Sequence, residues 1–286
     1  MSKDIAASIN KLPSISDTIK KYNLQAKKRL SQNFILDLNL TNKIAKLSNT
    51  IKNNTVIEIG AGPGSLTRSI LLNGAKRIII IEKDKRFIEP LKILNKVSED
   101  RIIIENNDAL KVNIDLIIKK YNINQAEIVA NLPYSIATKL LINWLPLPSK
   151  INKMTLMFQK EVADRIVAKP GSKKYGRISI LLGIMTDSKI VMNIPSAAFK
   201  PQPKINSSVV QIIPKKINKL LNKNILEEIT KTLFNQRRKQ IKSTLSSFGD
   251  PIKICNSLNI DPSMRPEELS LNQYESLAHL VANYQD

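Results

Sequence analysis

Short apolar runs rich in β-branched residues alternate along the chain with segments whose apolar positions recur every three or four residues. Thr55 to Gly60, Arg77 to Glu82, Arg101 to Glu105, Glu127 to Ala130 and Met154 to Phe158 are nearly continuous in Ile, Val, Leu and Met. Such runs predict strands buried on both faces, as in parallel sheets. Leu40, Ile44, Leu47 and Ile51 form a helical stripe before the first strand. Further stripes follow at Phe87, Leu91 and Leu94, at Ile136, Leu140 and Trp144, and at Ile178, Leu181, Leu182 and Met185. Alternation of this kind predicts a doubly wound α/β fold. Lys189 to Ile194 and Ser208 to Ile213 are joined by a loop holding Pro195, Pro201 and Pro203, which predicts a closing strand pair in place of another crossover. The sheet is expected to end near Pro214. Lys215 to Lys223 is polar and basic, and from Ile225 the pattern turns helical, with breaks at Gly249, Pro251, Pro262 and Pro266. The expected organisation is therefore a catalytic domain over 1–216, with a basic N-terminal extension, and a small helical domain over 217–286. There is no internal repeat.

Charge narrows the partners. The 286 residues carry 45 Lys and Arg against 24 Asp and Glu, a formal charge of +21, which calls for an anionic partner. A composition leaning on Lys, Ile and Asn accounts for part of that excess. Cys255 and His279 are the only residues of their kinds, which excludes a disulfide framework, a Cys/His zinc cluster, a Ser-His-Asp triad and a Cys-His nucleophile pair. Cys255 is expected to be a small core residue, and His279 structural or exposed. No uncharged apolar run is long enough to span a bilayer. The first thirty residues resemble neither a secretory signal nor a transit peptide. A soluble, cytoplasmic protein is expected.

Glu58-Ile-Gly60-Ala-Gly62-Pro-Gly64 follows a strand and precedes an amphipathic segment, so the backbone can turn tightly and approach a ligand closely. The third glycine of a dinucleotide fingerprint would fall at 65, where Ser65 stands, and Pro63 offers no N–H to a pyrophosphate. No phosphate-binding G-x-x-x-x-G-K-[ST] loop occurs. A nucleoside ligand without phosphates is favoured, and S-adenosylmethionine is the candidate. Glu82 closes the second strand, placed to accept both ribose hydroxyls, and Asp108 lies past the third, placed to accept from the adenine amine. Either acid alone reads as a helix cap or a solvated strand end. Together with the glycine turn they read as a cofactor site.

Asn131-Leu132-Pro133-Tyr134 ends the fourth strand, across the topological switch from the first. An exocyclic adenine amine is a poor nucleophile because its lone pair is delocalised into the ring. The Asn131 amide oxygen and a main-chain carbonyl, that of Leu132, can accept its two hydrogens and favour the pyramidal nitrogen of the transition state. Pro133 fixes the turn, and Tyr134 can stack on an extruded base. No general base is required, because the alkylated amine bearing an extra proton is strongly acidic.

These segments closely resemble the KsgA-type small-subunit rRNA adenine N6,N6-dimethyltransferase family, relatives of the erythromycin-resistance methylases. The likeness extends to Lys28-Arg-Leu-Ser-Gln-Asn-Phe34, Gln159-Lys-Glu-Val162, Tyr175-Gly-Arg177, Phe199-Lys-Pro-Gln-Pro-Lys204 and Phe234-Asn-Gln-Arg-Arg-Lys239. Ser31 stands where the family usually has glycine, and Ile35 where leucine is common. The resemblance implies a class I S-adenosylmethionine-dependent fold with a mostly parallel seven-stranded sheet. It implies cofactor contacts from Asn33, Ile35, Gly60, Glu82, Asp108 and Asn131, and no metal. It further implies a substrate of two adjacent adenosines in a hairpin loop near the 3′ end of 16S rRNA, methylated in the assembling small ribosomal subunit by a monomeric enzyme.

For RNA phosphates the sequence offers Lys27, Lys28 and Arg29, then Lys200 and Lys204, then Arg237, Arg238 and Lys239. Phe199 is expected to add a stacking face beside Tyr134. On a helical wheel Phe234, Ile241, Leu245 and Phe248 share a face flanked by Arg237 and Arg238. That pair reads equally as RNA contacts or as anchors to carboxylates of the main domain. Two other functions stay open on sequence alone: a binding protein that keeps a cofactor pocket, and a large-subunit or DNA adenine methylase.

Overall fold

The computed structural model of the protein describes residues 3–216 and 221–285. The expected domain boundary at 217 lies outside the described residues. Seven strands form the main sheet: β1 (Thr55–Ile59), β2 (Arg77–Ile81), β3 (Ile102–Glu105), β4 (Ala126–Asn131), β5 (Ile151–Gln159), β6 (Thr186–Ile194) and β7 (Ser207–Pro214). Their order is β3-β2-β1-β4-β5-β7-β6. Strands β1 to β5 pair in parallel, and β7 runs antiparallel to β5. All five residues of β1 are buried, because helices cover both faces of a parallel sheet and leave no polar side. The sheet order reverses between β1 and β4, and a crevice opens there beyond the strands' carboxyl ends.

The chain divides into two compact units. One holds the residues up to Ala163 together with Lys189–Ile213, and the other Asp164–Ser188 with the chain from Pro214 onward. The second unit thus takes in a helix, Arg177–Met185, that the pattern alone assigns to the first. Its core is built on Tyr175, Tyr274, Leu226, Ile229 and Leu233. The Tyr274 hydroxyl donates to the Pro266 carbonyl at 2.7 Å.

No continuous helix runs from Phe234 to Phe248, contrary to the helical wheel. The helix Lys223–Asn235 stops before Gln236, and Ile241 and Leu245 lie in separate short 3-10 turns. The Ile241 and Lys242 amides donate to the carbonyls of Met264 and Pro262, so a distant segment takes up the hydrogen bonds that a continuing helix would have used.

In the first unit, residues ahead of β1 are tied back to the sheet. Phe34–Ile35 pairs antiparallel with Phe199–Lys200 in a separate two-stranded sheet. Arg68, 5% exposed, donates to the Pro13 carbonyl at 2.7 Å and holds the N-terminal helices in place.

Candidate functional site

A cleft opens at the carboxyl ends of β1, β2 and β4, with about 1170 Å³ of empty space when its open mouth is included. Gly60, Glu82, Asp108, Asn131, Leu132, Pro133 and Tyr134 line it, together with Arg29, Asn33 and Ile35 from the segment ahead of β1. Chain positions a hundred residues apart therefore converge on one crevice.

The turn after β1 needs its glycines. Gly60 and Gly62 have φ of +70° and +54°, and a Cβ on Gly62 would meet the Phe34 ring at 3.4 Å. Phe34 in turn packs edge-on against Phe87 at 5.7 Å between centroids. The turn places the Gly62 N–H on Glu82 Oε2 at 3.0 Å, while the Asp84 N–H reaches Oε1 at 2.8 Å. Glu82 is 5% exposed. Burial raises its pKa, and the main-chain donors pull against that rise. Each oxygen keeps a lone pair directed away from these amides.

Glu58, which sequence reasoning left without a role, also lines the cleft. Burial drives its pKa up to about 8, the Thr67 hydroxyl lowers it, and the neighbouring charge of Glu82 raises it again. Its signal was an acid inside an otherwise apolar strand. Asp108 caps the turn Ala109–Lys111 by accepting from the Leu110 N–H at 3.0 Å, and it pairs with Lys83 at 2.7 Å. Lys83 is the main cause that lowers its pKa.

The Asn131 side-chain nitrogen donates to the Asn33 carbonyl at 3.0 Å. A carbonyl can only accept, so this bond fixes which end of the amide is nitrogen and leaves Oδ1 on the opposite side. Pro133 precedes the helix Tyr134–Asn143 as its N-cap, and its carbonyl accepts from the Ile136 and Ala137 amides.

The segment bearing Asn33 is itself secured by residues that sequence reasoning missed. Gln32 donates to Asp84 at 3.1 Å, and Arg86 grips the same carboxylate at 2.7 Å while donating to the Gln25 carbonyl. Arg86 holds the Asp84 pKa down to about 2.

Several expected RNA contacts sit elsewhere. Lys28 and Lys204 are exposed and outside the cleft lining, whereas Arg29 lies on its edge. Phe199 requires correction: it is 4% exposed and packed in the core, opposite Ile35 in the small sheet, so its ring offers no stacking face. Its apolar neighbours on both sides of that pairing outweigh any gain from exposure.

In the second unit, Arg237 donates to Glu267 at 2.5 Å and to the Lys173 carbonyl at 2.9 Å, and Arg238 is exposed. The anchoring carboxylate belongs to this unit and not to the main domain. Cys255 is buried, and His279 lies 3.9 Å from Glu275. Among the described residues no cluster could hold a metal ion, and no helix is long and apolar enough to cross a membrane.

Comparison with known proteins agrees with this geometry. The family described as ribosomal RNA adenine dimethylase matches residues 23–283. A ribosomal RNA small subunit methyltransferase A from Bartonella quintana is 45% identical over 276 residues, covering 96% of this chain and 99% of that protein. The protein of the same name from Xanthobacter autotrophicus is 41% identical over 280 residues, covering 96% of both. A crystal structure of a dimethyladenosine transferase from Plasmodium falciparum superposes with a TM-score of 0.71 at 24% identity, covering 85% of this chain and 96% of that one, a likeness of fold.

Proposed function

Since the chain belongs to the ribosomal RNA adenine dimethylase family, we propose that it places two methyl groups on N6 of each of two adjacent adenosines. These lie in the hairpin loop near the 3′ end of 16S rRNA, and the reaction takes place in the assembling small subunit. The observation that carries this reading is that Asn131-Leu132-Pro133-Tyr134 and Glu82 open onto one cleft. S-adenosylmethionine supplies the methyl group as an electrophilic carbon on its sulfonium. The residues present fit such a ligand. Glu82, buried and held by main-chain amides, suits a neutral sugar's hydroxyl donors and would repel a phosphate. Asn33, Ile35 and Gly60 border the same space, and Asp108 stands at its far edge for a base amine.

Asn131 performs the central task on the acceptor. With its nitrogen committed to Asn33, Oδ1 accepts one hydrogen of the adenine amine. The Pro133 carbonyl is spent on the helix, which leaves that of Leu132 as the second acceptor on this turn. Two acceptors localise the amine's lone pair, and they do so more strongly as positive charge develops on nitrogen. Tyr134 stacks on the everted purine. Arg29, Lys28, Lys204 and Arg238, all exposed, meet the phosphates. Arg237 serves chiefly to hold the C-terminal unit that presents Arg238. The protein acts as a cytoplasmic monomer on this reading.

The test is transfer from labelled S-adenosylmethionine to small subunits isolated from cells lacking this enzyme, with mass spectrometry of the rRNA. Dimethyladenosine at both positions is expected. Asn131→Ala should lower kcat by about a hundredfold or more, the scale of removing one preorganised partner of a transition state, while binding of S-adenosylhomocysteine stays within a few-fold. Subunits left unmethylated by the wild-type chain would overturn the assignment.

A further inference from the structure

Tyr134 opens the helix after β4, and Ser207 opens β7. Their hydroxyls lie 2.5 Å apart. Stacking on a base needs only the ring, so the hydroxyl has a separate purpose to explain. Ser207 is fully buried and stands opposite Gln159 in the antiparallel ladder with β5. Next to it, the Asn206 carbonyl accepts from the Lys160 N–H at 2.9 Å and its side chain accepts from the Ser196 N–H at 3.0 Å. The serine is thus fixed to the sheet on both sides. Tyr134 is half-buried, and burial raises its phenol pKa, so it stays a neutral hydrogen-bonding group. A tyrosine's first torsion has three staggered wells and sets where the ring points. The hydroxyl oxygen lies on the axis of the second torsion, so a bond there leaves rotation about that axis to the ring's neighbours and holds the first torsion in one well before a base arrives.

We infer that Ser207 is a positioning residue: through the Tyr134 hydroxyl it holds the ring in the place where the target purine stacks. The inference rests on the proposed role of Tyr134. Holding a reacting group in its near-attack geometry acts on kcat more than on overall RNA affinity, which the distributed phosphate contacts dominate.

The experiment compares Tyr134→Ala, Tyr134→Phe, Ser207→Ala, Ser207→Thr and the Tyr134→Phe/Ser207→Ala double variant of the full chain. Substrates are unmethylated small subunits, and S-adenosylhomocysteine affinity and Tm are measured alongside. Tyr134→Phe and Ser207→Ala should each lower kcat by roughly 5- to 20-fold with KM for subunits within about twofold, on the scale of one hydrogen bond. The double variant should be no worse than either single one, and Ser207→Thr should restore most of the rate. S-adenosylhomocysteine affinity should not move. Additive losses, or a Ser207→Ala variant at the wild-type rate beside a slow Tyr134→Phe, would overturn the tether while leaving the stacking role intact. A Tyr134→Ala variant at the wild-type rate would remove the stacking role itself. If Ser207→Ala does not fold, Tyr134→Phe and Ser207→Thr carry the comparison from the cleft side.

Discussion

Two carboxylates are buried near opposite ends of the same parallel sheet, and they are treated differently. Glu82, just past the carboxyl end of β2, accepts two main-chain N–H groups. Glu127, near the start of β4 and 0% exposed, accepts from the Thr50 hydroxyl, and its second oxygen has no partner among the described residues. Lys153 stands opposite it in the ladder with β5. The difference follows from the direction of the chain. Strands running the same way deliver turns and helix N-termini at one rim, where unpaired N–H groups collect, and helix C-termini with unpaired carbonyls at the other. At the lower rim the Leu47 and Ser48 carbonyls, at the end of the helix Leu38–Leu47, accept from Gln211 and Lys153. Acids therefore suit the upper rim and donors the lower. Glu127 is an acid on the donor side, pushed up to about 7 by burial although Lys153 lowers it. A buried acid marks a ligand site when rigid main-chain donors hold it; one held by side chains answers to pH instead.

The sharpest way to break this comparison is to make both acids amides. Glu82→Gln exchanges an acceptor-only group for one whose nitrogen faces an N–H or a sugar hydroxyl. It should weaken S-adenosylhomocysteine by about 10- to 100-fold in calorimetry, since a hydrogen bond to a charged group contributes about 1.5–3 kcal/mol. Glu127→Gln should leave that affinity unchanged. Equal losses at both sites would show that burial alone sets the effect.

How much of this was legible in the chain depends on the range of the interaction. The seven strands could be read because each is a local apolar run, and Glu82, Asp108 and Asn131 because each falls at the end of one. The pairing of Phe34–Ile35 with Phe199–Lys200 spans 164 positions, and two-residue strands carry no periodicity to announce it. That hidden pairing is why Phe199 was expected at the surface. The extended wheel past Asn235 failed for a similar reason: the Met264 and Pro262 carbonyls that capture Ile241 and Lys242 leave no trace in local pattern. Glu58 and Glu127 were visible as acids inside apolar runs, but composition does not say which donors surround them. The Gln32–Asp84–Arg86 network joins two segments some fifty residues apart, so only the fold reveals it.

A second, smaller effect separates the rims by pH. Glu127 has a folded pKa raised from 4.5 to about 7. Between those values the folded protein binds more protons at this site than the unfolded chain, so Glu127's contribution to stability is fully present below about pH 4.5 and is lost as pH rises through 7. Glu127→Gln should remove this loss. Its Tm should exceed that of the wild type at pH 8, by the equivalent of about 1–2 kcal/mol after allowance for solvent screening, and match it near pH 5. A constant difference across the range would mean that the glutamine simply packs better.

Lys153 gives the smallest and most diagnostic effect. Its ammonium donates to the Ser48 carbonyl and to Asn49 Oδ1, each at 2.8 Å, while its charge lowers the Glu127 pKa. Lys153→Met removes both contributions, and pH distinguishes them. The lost hydrogen bonds to neutral acceptors cost the same at every pH. The lost charge matters only once Glu127 ionises, and its absence moves the Glu127 pKa further up. Thermal melts of the variant should therefore fall below wild type by a small constant amount at pH 5, and by roughly a further 0.5 kcal/mol at pH 8. In a Glu127→Gln background the pH-dependent part should vanish while the constant part stays, because the cation then faces no charge. If the extra loss at pH 8 survives in the double variant, the ammonium is acting on an acid other than Glu127.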